Sequence, residues 1–95
     1  MYAAAFDLVV VDTELHHLKG VSQAYAGIGS ILQSHGFIQV QGSVDVTENE
    51  DMANLFLALQ ALKEHGWFPR SVRDIQVFSI DQWSDFTTMV KTGLK

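Results

Sequence analysis

The sequence predicts an α+β sandwich, because segments with strand periodicity and segments with helix periodicity alternate along its 95 residues. Their order is strand, helix, strand, strand, helix, strand, which is the ferredoxin-like βαββαβ pattern. Right-handed crossovers then give an antiparallel sheet in the strand order 4-1-3-2, with both long helices on one face. A short C-terminal helix is expected after the last strand. The length suits one globular unit, so we expect a single domain over residues 1–95.

The first strand is predicted from the apolar run over residues 2–11, which is rich in Val and contains one charged residue, Asp7. Such a run is typical of a strand that is buried on both faces. Strand alternation places Ala3, Ala5 and Asp7 on the same face. A buried carboxylate is costly unless it is paired or loses its charge. We therefore expect Asp7 to have a partner or a chemical use.

The later elements follow from periodicity and from the residues that begin and end them. In chain order they are a polar connection over 12–20, a helix over 21–32, strands over 37–41 and 43–46, a helix over 52–62, a strand over 72–80 and a last helix whose buried side is Phe86, Met89 and Val90. Gly36 and Gly66 are expected to end the two long helices. Thr47 and Glu50 are expected to form a capping box for the second long helix.

The composition limits the classes of function. A net charge of −5 argues against nonspecific nucleic-acid binding, so any nucleic acid must meet a local basic patch. The chain has no cysteine, which excludes disulfides and thiolate zinc sites. No basic leader precedes the first apolar run, and that run is too short to span a bilayer. We expect a cytoplasmic protein with no membrane partner.

The predicted topology brings three distant residues together. The third and fourth strands both flank the first and run opposite to it, so their starts lie beside its end. Ser43 and Arg73 are therefore expected near Asp7, which would gather a hydroxyl, a guanidinium and an acid. The face of the fourth strand is not fixed by this argument, so Asp74 in place of Arg73 stays open. A plain salt bridge between Asp7 and Arg73 also stays open as a structural explanation.

Two further clusters are candidates for binding. Lys63, Arg70 and Arg73 form the only basic cluster, which would either grip phosphate or balance nearby acids. His16 and His17 lie in an acidic segment, but adjacent histidines in a polar loop more often point apart, and we assign no metal ligand there. The sheet face without helices carries too much apolar surface for a monomer, so we expect a homodimer joined through sheet faces or edge strands.

Several segments resemble one family, that of virulence-associated protein D (VapD). They are Tyr-Ala-Ala-Ala-Phe-Asp-Leu at 2–8, Gln-Gly-Ser at 41–43, Glu-Asp-Met-Ala-Asn-Leu-Phe at 50–56, Ser-Val-Arg-Asp-Ile at 71–75 and Trp-Ser-Asp-Phe-Thr at 83–87. The resemblance implies a small dimeric endoribonuclease with a modified ferredoxin fold, in some members a toxin paired with a small antitoxin protein. The chain is also similar to the small CRISPR-associated subunit of the spacer-acquisition complex.

The resemblance implies roles for individual residues. It points to Asp7 as catalytic residue, either as general acid/base or, with its dimer copy, as ligand of a divalent cation such as Mg²⁺. Its motif neighbours Ser43 and Arg73 complete the catalytic set, and Tyr2 is expected to contact RNA. Arg70 and Lys63 are expected to contact RNA as members of the basic cluster. The chain departs from the family where Val44-Asp45-Val46 replaces an aromatic residue and where Gln76 replaces Arg. Both departures remove groups that bind bases or phosphates, so the alternative is a noncatalytic dimeric module that binds a protein or nucleic acid.

Overall fold

The computed structural model describes residues 1–93, and the last two residues of the predicted 1–95 domain lie outside it. Its single sheet contains β1 (Tyr2–Leu8), β2 (Ile38–Gln41), β3 (Val44–Thr47) and β4 (Val72–Ser79). The strand order is β2-β3-β1-β4, and every neighbouring pair is antiparallel. Counted from the other edge, this is the order 4-1-3-2. The predicted ferredoxin-like topology is therefore confirmed.

The helices of residues 1–93 are α1 (Val10–His16), α2 (Gly20–Gln33), α3 (Met52–Glu64), α4 (Trp67–Ser71) and α5 (Thr87–Lys91). The core lies between the sheet and the two long helices, α2 and α3. There β1 contributes Ala4, Phe6 and Leu8. Facing them are Ile28 and Leu32 of α2 with Leu55, Ala58 and Leu62 of α3. None of the helices in this part of the chain is both long and apolar enough to cross a membrane.

The segment after β1 differs from the prediction. The apolar run does not continue as a strand to residue 11, because the chain turns at Val9 into helix α1. The turn is held by the Val9 N–H, which donates to the Ser71 carbonyl at 2.7 Å, and by the Thr13 hydroxyl, which donates to the Val9 carbonyl at 2.8 Å. Helix α1 buries Thr13 and exposes its valines. Its apolar residues therefore do not mark its buried face. The predicted polar connection over 12–20 was wrong, because most of that segment is helix α1.

The ends of the long helices are explained by single residues. Gly36 follows α2 with φ +86°, a backbone conformation that favours glycine. Asp51, rather than Thr47, is the N-cap of α3, and its carboxylate accepts the Ala53 N–H at 3.0 Å. The predicted capping box was wrong, because the Thr47 hydroxyl accepts the Asn49 N–H at 3.1 Å and the Glu50 carboxylate pairs with the amino terminus at 2.7 Å.

The C-terminal helix is present, but its predicted buried side is not. Phe86, Met89 and Val90 are all exposed, and α5 buries no residue in this chain. The segment from Trp83 to Lys91 instead borders a cleft beside Val40 and Val44 of the β2–β3 hairpin.

Candidate active site

Asp7 is the last outward-facing residue of β1. Alternation along the strand is as predicted, since Phe6 and Leu8 are buried on the helix side and Asp7 lies on the open side. The expected burial of the carboxylate was wrong, because the Asp7 side chain is 53% exposed. No long helix covers this end of the open face. A polymer can therefore reach the carboxylate directly.

Arg73 forms an ion pair with Asp7. A nitrogen of its guanidinium lies 3.5 Å from Oδ2 of Asp7, and the Arg73 side chain is 63% exposed. At that exposure the pair is screened by water and contributes little to stability. Its interest is chemical, since a guanidinium can hold a phosphate while the neighbouring carboxylate moves a proton.

Asp74 lies directly opposite Asp7 in the β1–β4 register. The register shifts at the next position, where Leu8 pairs with Val72, so Arg73 is the extra residue of a bulge. Bulges re-aim side chains at sheet edges and active sites. The sequence left Arg73 and Asp74 as alternatives, and the bulge places both beside Asp7. No sequence signal marks this bulge, so the sequence alone does not decide which of the two residues faces Asp7.

Ser43 is held beside the same end of β1. The Phe6 N–H donates to the Ser43 carbonyl at 3.1 Å, just beyond the last β1–β3 register pair, Ala5 with Val44. The expectation that the starts of the flanking strands lie beside the end of β1 is confirmed. This hydrogen bond is accepted by the main-chain carbonyl of Ser43, and the Ser43 hydroxyl takes no part in it.

The other predicted RNA-contacting residues are more dispersed. Arg70 is in the last turn of α4, three residues before Arg73. Lys63 borders a pocket of about 210 Å³ with Val72 and Ile75, on the helix side of β4. Tyr2 lies at the opposite end of β1, about 17 Å from Asp7 at about 3.4 Å per strand residue. Its hydroxyl contacts the Met52 sulfur at 3.3 Å. The structure therefore does not bring Tyr2 to the acid.

The side chain of His17 is held by an aromatic contact and a hydrogen bond. His17 lies edge-on to Trp67, with ring centroids 4.6 Å apart, and its Nδ1 accepts the Lys19 N–H at 3.1 Å. Within residues 1–93, no three acidic, histidine or cysteine side chains converge in an arrangement that could hold a metal ion.

Asp45 is an acid that the sequence reasoning did not select. It lies opposite Ala4 on the helix side of the sheet and is 1% exposed. Neither carboxylate oxygen has a hydrogen-bond partner among the described residues. Burial raises the pKa of the Asp45 carboxyl to about 6. A charged residue between apolar neighbours, Val44 and Val46, is the signal that identifies it.

Fold and site together define a small ferredoxin-like protein that presents an acid and a guanidinium on the open face of its sheet. No protein-family model matches the chain. It is 60% identical over 92 residues to a Neisseria gonorrhoeae protein named endoribonuclease VapD homolog, covering 97% of this chain and all of that protein. It is 56% identical over 91 residues to endoribonuclease VapD of Haemophilus influenzae, covering 96% of this chain and 99% of the relative.

A more distant relative gives the same result. Endoribonuclease VapD of Helicobacter pylori is 36% identical over 94 residues, covering 97% of this chain and all of that protein. The chain therefore belongs to the VapD family, as the sequence blocks indicated. The similarity to the CRISPR-associated subunit stays a prediction.

Proposed function

We propose that this protein is an endoribonuclease in which Asp7 carries the chemistry and Arg73 binds the scissile phosphate. The observation that carries the proposal is the exposed carboxylate in contact with a guanidinium at the end of the central strands. Its relatives with full-length similarity are named endoribonucleases, which supports the same reaction here.

RNA supplies its own nucleophile, the 2′-hydroxyl, so the protein needs a base and a cationic partner for the phosphorane. Asp7 is the base, because a carboxylate can accept the 2′-hydroxyl proton. Arg73 stabilises the added negative charge on the phosphorus oxygens, as a preorganised cation does in phosphoryl transfer. Ser43 orients the RNA through its hydroxyl. The competing role for Asp7 is ligation of a divalent cation together with its copy in a dimer.

The positive charge available for RNA is small and local. Arg70 lies three residues before Arg73, and we propose that it contacts a phosphate next to the cleaved linkage, whereas Lys63 lies on the helix side of β4 and would contact RNA only further from the linkage. With a net charge of −5 on the chain, this contact is weak and sensitive to salt.

We further propose that the protein is a homodimer joined through the open face of the sheet. One register row across that face contains Ile38, Val46, Ala3 and Phe78. Ile38 is 55% exposed and Phe78 is 47% exposed. Ala3 and Val46 between them are already buried within the chain, so the two ends of the row are the apolar side chains left for a partner to cover. This row shares its face with Asp7, which lies about 14 Å further along β1 at about 3.4 Å per residue.

The cellular role that fits a dimeric endoribonuclease of this family is a cytoplasmic toxin, held in check by a small antitoxin protein. The gene beside this one is where such a partner would be encoded. Coexpression of the two open reading frames followed by size-exclusion chromatography tests this role, and separate elution of the two products contradicts it.

The test of the activity is a gel assay on structured RNA, with and without EDTA. Wild type is expected to cleave, and Asp7→Asn is expected to lose cleavage while keeping its fold. Asp81→Asn is the matched control, since Asp81 is an exposed acid beyond β4, at the end away from Asp7. Loss of wild-type cleavage in EDTA would assign Asp7 to the metal-ligand role.

The second candidate is a noncatalytic dimeric module, which is favoured by the acidic charge and by the apolar row on the open face. It predicts that nuclease-free wild type leaves RNA intact and still forms a stable complex with a cognate protein.

A further inference from the structure

Two carboxylates, not one, lie where the end of β1 meets the start of the edge strand β4. Asp7 and Asp74 are direct partners in the antiparallel β1–β4 register. Directly opposed residues carry their side chains on the same face, with Cβ atoms about 4.5–5.5 Å apart. Both residues are exposed, so both carboxylates are open to a substrate that approaches the sheet.

Two carboxylates opposed in this way lower the stability of the fold. Like charges directly opposite each other on neighbouring strands are destabilising. Arg73 offsets part of this repulsion through its contact with Asp7 at 3.5 Å, and it does so because the bulge adds one residue to β4 at that point. The outcome is an acid pair and a guanidinium within one small patch of the open face.

Cleavage by the 2′-hydroxyl needs two proton transfers. One group accepts the proton of the attacking hydroxyl, and another donates a proton to the departing 5′-oxygen. The proposed set of Asp7, Ser43 and Arg73 has no good proton donor, because a serine hydroxyl is a weak acid and a guanidinium keeps its protons. A second carboxyl group, in its protonated form, supplies the missing donor.

We propose, resting on the ribonuclease function above, that Asp74 is the general acid that completes this site. Asp7 takes the proton from the 2′-hydroxyl while the 2′-oxygen forms its bond to phosphorus. The bond from phosphorus to the 5′-oxygen breaks, and Asp74 gives its proton to that oxygen. The products are a 2′,3′-cyclic phosphate and a 5′-hydroxyl. Asp7 receives the base role because it is the carboxylate that contacts Arg73, the group that holds the phosphate.

The test compares two RNA substrates that differ in one atom. One has the normal 5′-oxygen at the cleaved linkage, and the other has a bridging 5′-sulfur, which leaves as a thiolate without a proton. Asp74→Asn is expected to lose about 10²–10⁴-fold in rate on the oxygen substrate. On the sulfur substrate it is expected to cleave at nearly the wild-type rate. Asp7→Asn is expected to be slow on both, because its loss removes the base.

Further variants separate catalysis from folding. Asp74→Glu keeps a carboxyl group and is expected to retain part of the activity on the oxygen substrate, while the control Asp81→Asn is expected to match wild type on both. The assignment is overturned if Asp74→Asn matches wild type on the oxygen substrate, or if it is equally slow on both. If wild type cleaves neither substrate, the ribonuclease function itself fails, and the two failures are therefore distinguishable.

Discussion

Asp7 and Asp74 show how far single residues can be predicted from sequence. Asp7 was identified because a charge within an apolar strand is rare, and Arg73 because the topology places the start of the fourth strand beside it. The contact at 3.5 Å agrees with that prediction. The position of Asp74 depends on a bulge of one residue, and a bulge shifts the face of every residue beyond it. Sequence periodicity does not reveal such a shift.

The buried acid Asp45 predicts how the free energy of unfolding depends on pH. Burial raises the pKa of its carboxyl from 3.8 to about 6 in the folded protein. The folded state therefore holds this proton more tightly than the unfolded state, so the stabilisation is complete below pH 4 and is lost as pH rises through 6. At about 1.4 kcal/mol per pKa unit, the loss is about 3 kcal/mol.

The measurement is urea unfolding of wild type and Asp45→Asn at pH 5 and pH 8. The free energy of unfolding of wild type is expected to fall relative to that of the variant between these two values. Equal changes in the two proteins would show that the Asp45 carboxyl is already charged at pH 5.

At the scale of elements, the two long helices and all four strands were predicted, because each has a clear apolar period. Of the short helices only α5 was predicted, and α1 and α4 were not. Helix α1 buries Thr13 and exposes Val11 and Leu15, so its pattern imitates a strand followed by a loop. Helix α5 buries nothing within the chain, and its apolar residues therefore gave a false buried face.

The end of α2 gives a prediction for an element. Gly36 has φ +86°, and an added Cβ there meets only the Thr47 hydroxyl at 3.9 Å, so Gly36→Ala is strained by its backbone and not by crowding. We expect a loss of about 1–2 kcal/mol in the free energy of unfolding. Gly66→Ala is the matched control, because Gly66 has φ −55° and open space around it. Equal effects of the two substitutions on the urea midpoint would contradict this account.

At the scale of the whole molecule, the two faces of the sheet differ in the residues that they carry. One face holds the core under α2 and α3, and the other carries the acid pair beside a row of apolar residues. A single sequence predicts that such a face needs a partner. It does not contain the position of that partner, because the contact depends on surfaces from two chains.

The dimer is tested by sedimentation of Phe78→Asp beside Val11→Asp. Both replace an exposed apolar residue, but only Phe78 lies on the open face. Wild type and Val11→Asp are expected to sediment as two chains, and Phe78→Asp as one, because a buried carboxylate without a partner is costly. A dimeric Phe78→Asp would place the interface elsewhere.

The central claim is that the carboxylate of Asp7 performs the chemistry on RNA. It is tested most directly by the single-turnover rate constant for cleavage of one RNA linkage, measured for wild type, Asp7→Asn and Asp81→Asn under the same conditions. The account predicts a loss of about 10²–10⁴-fold for Asp7→Asn, as expected for removal of a general base, with Asp81→Asn close to wild type. A folded Asp7→Asn that cleaves at the wild-type rate would contradict it.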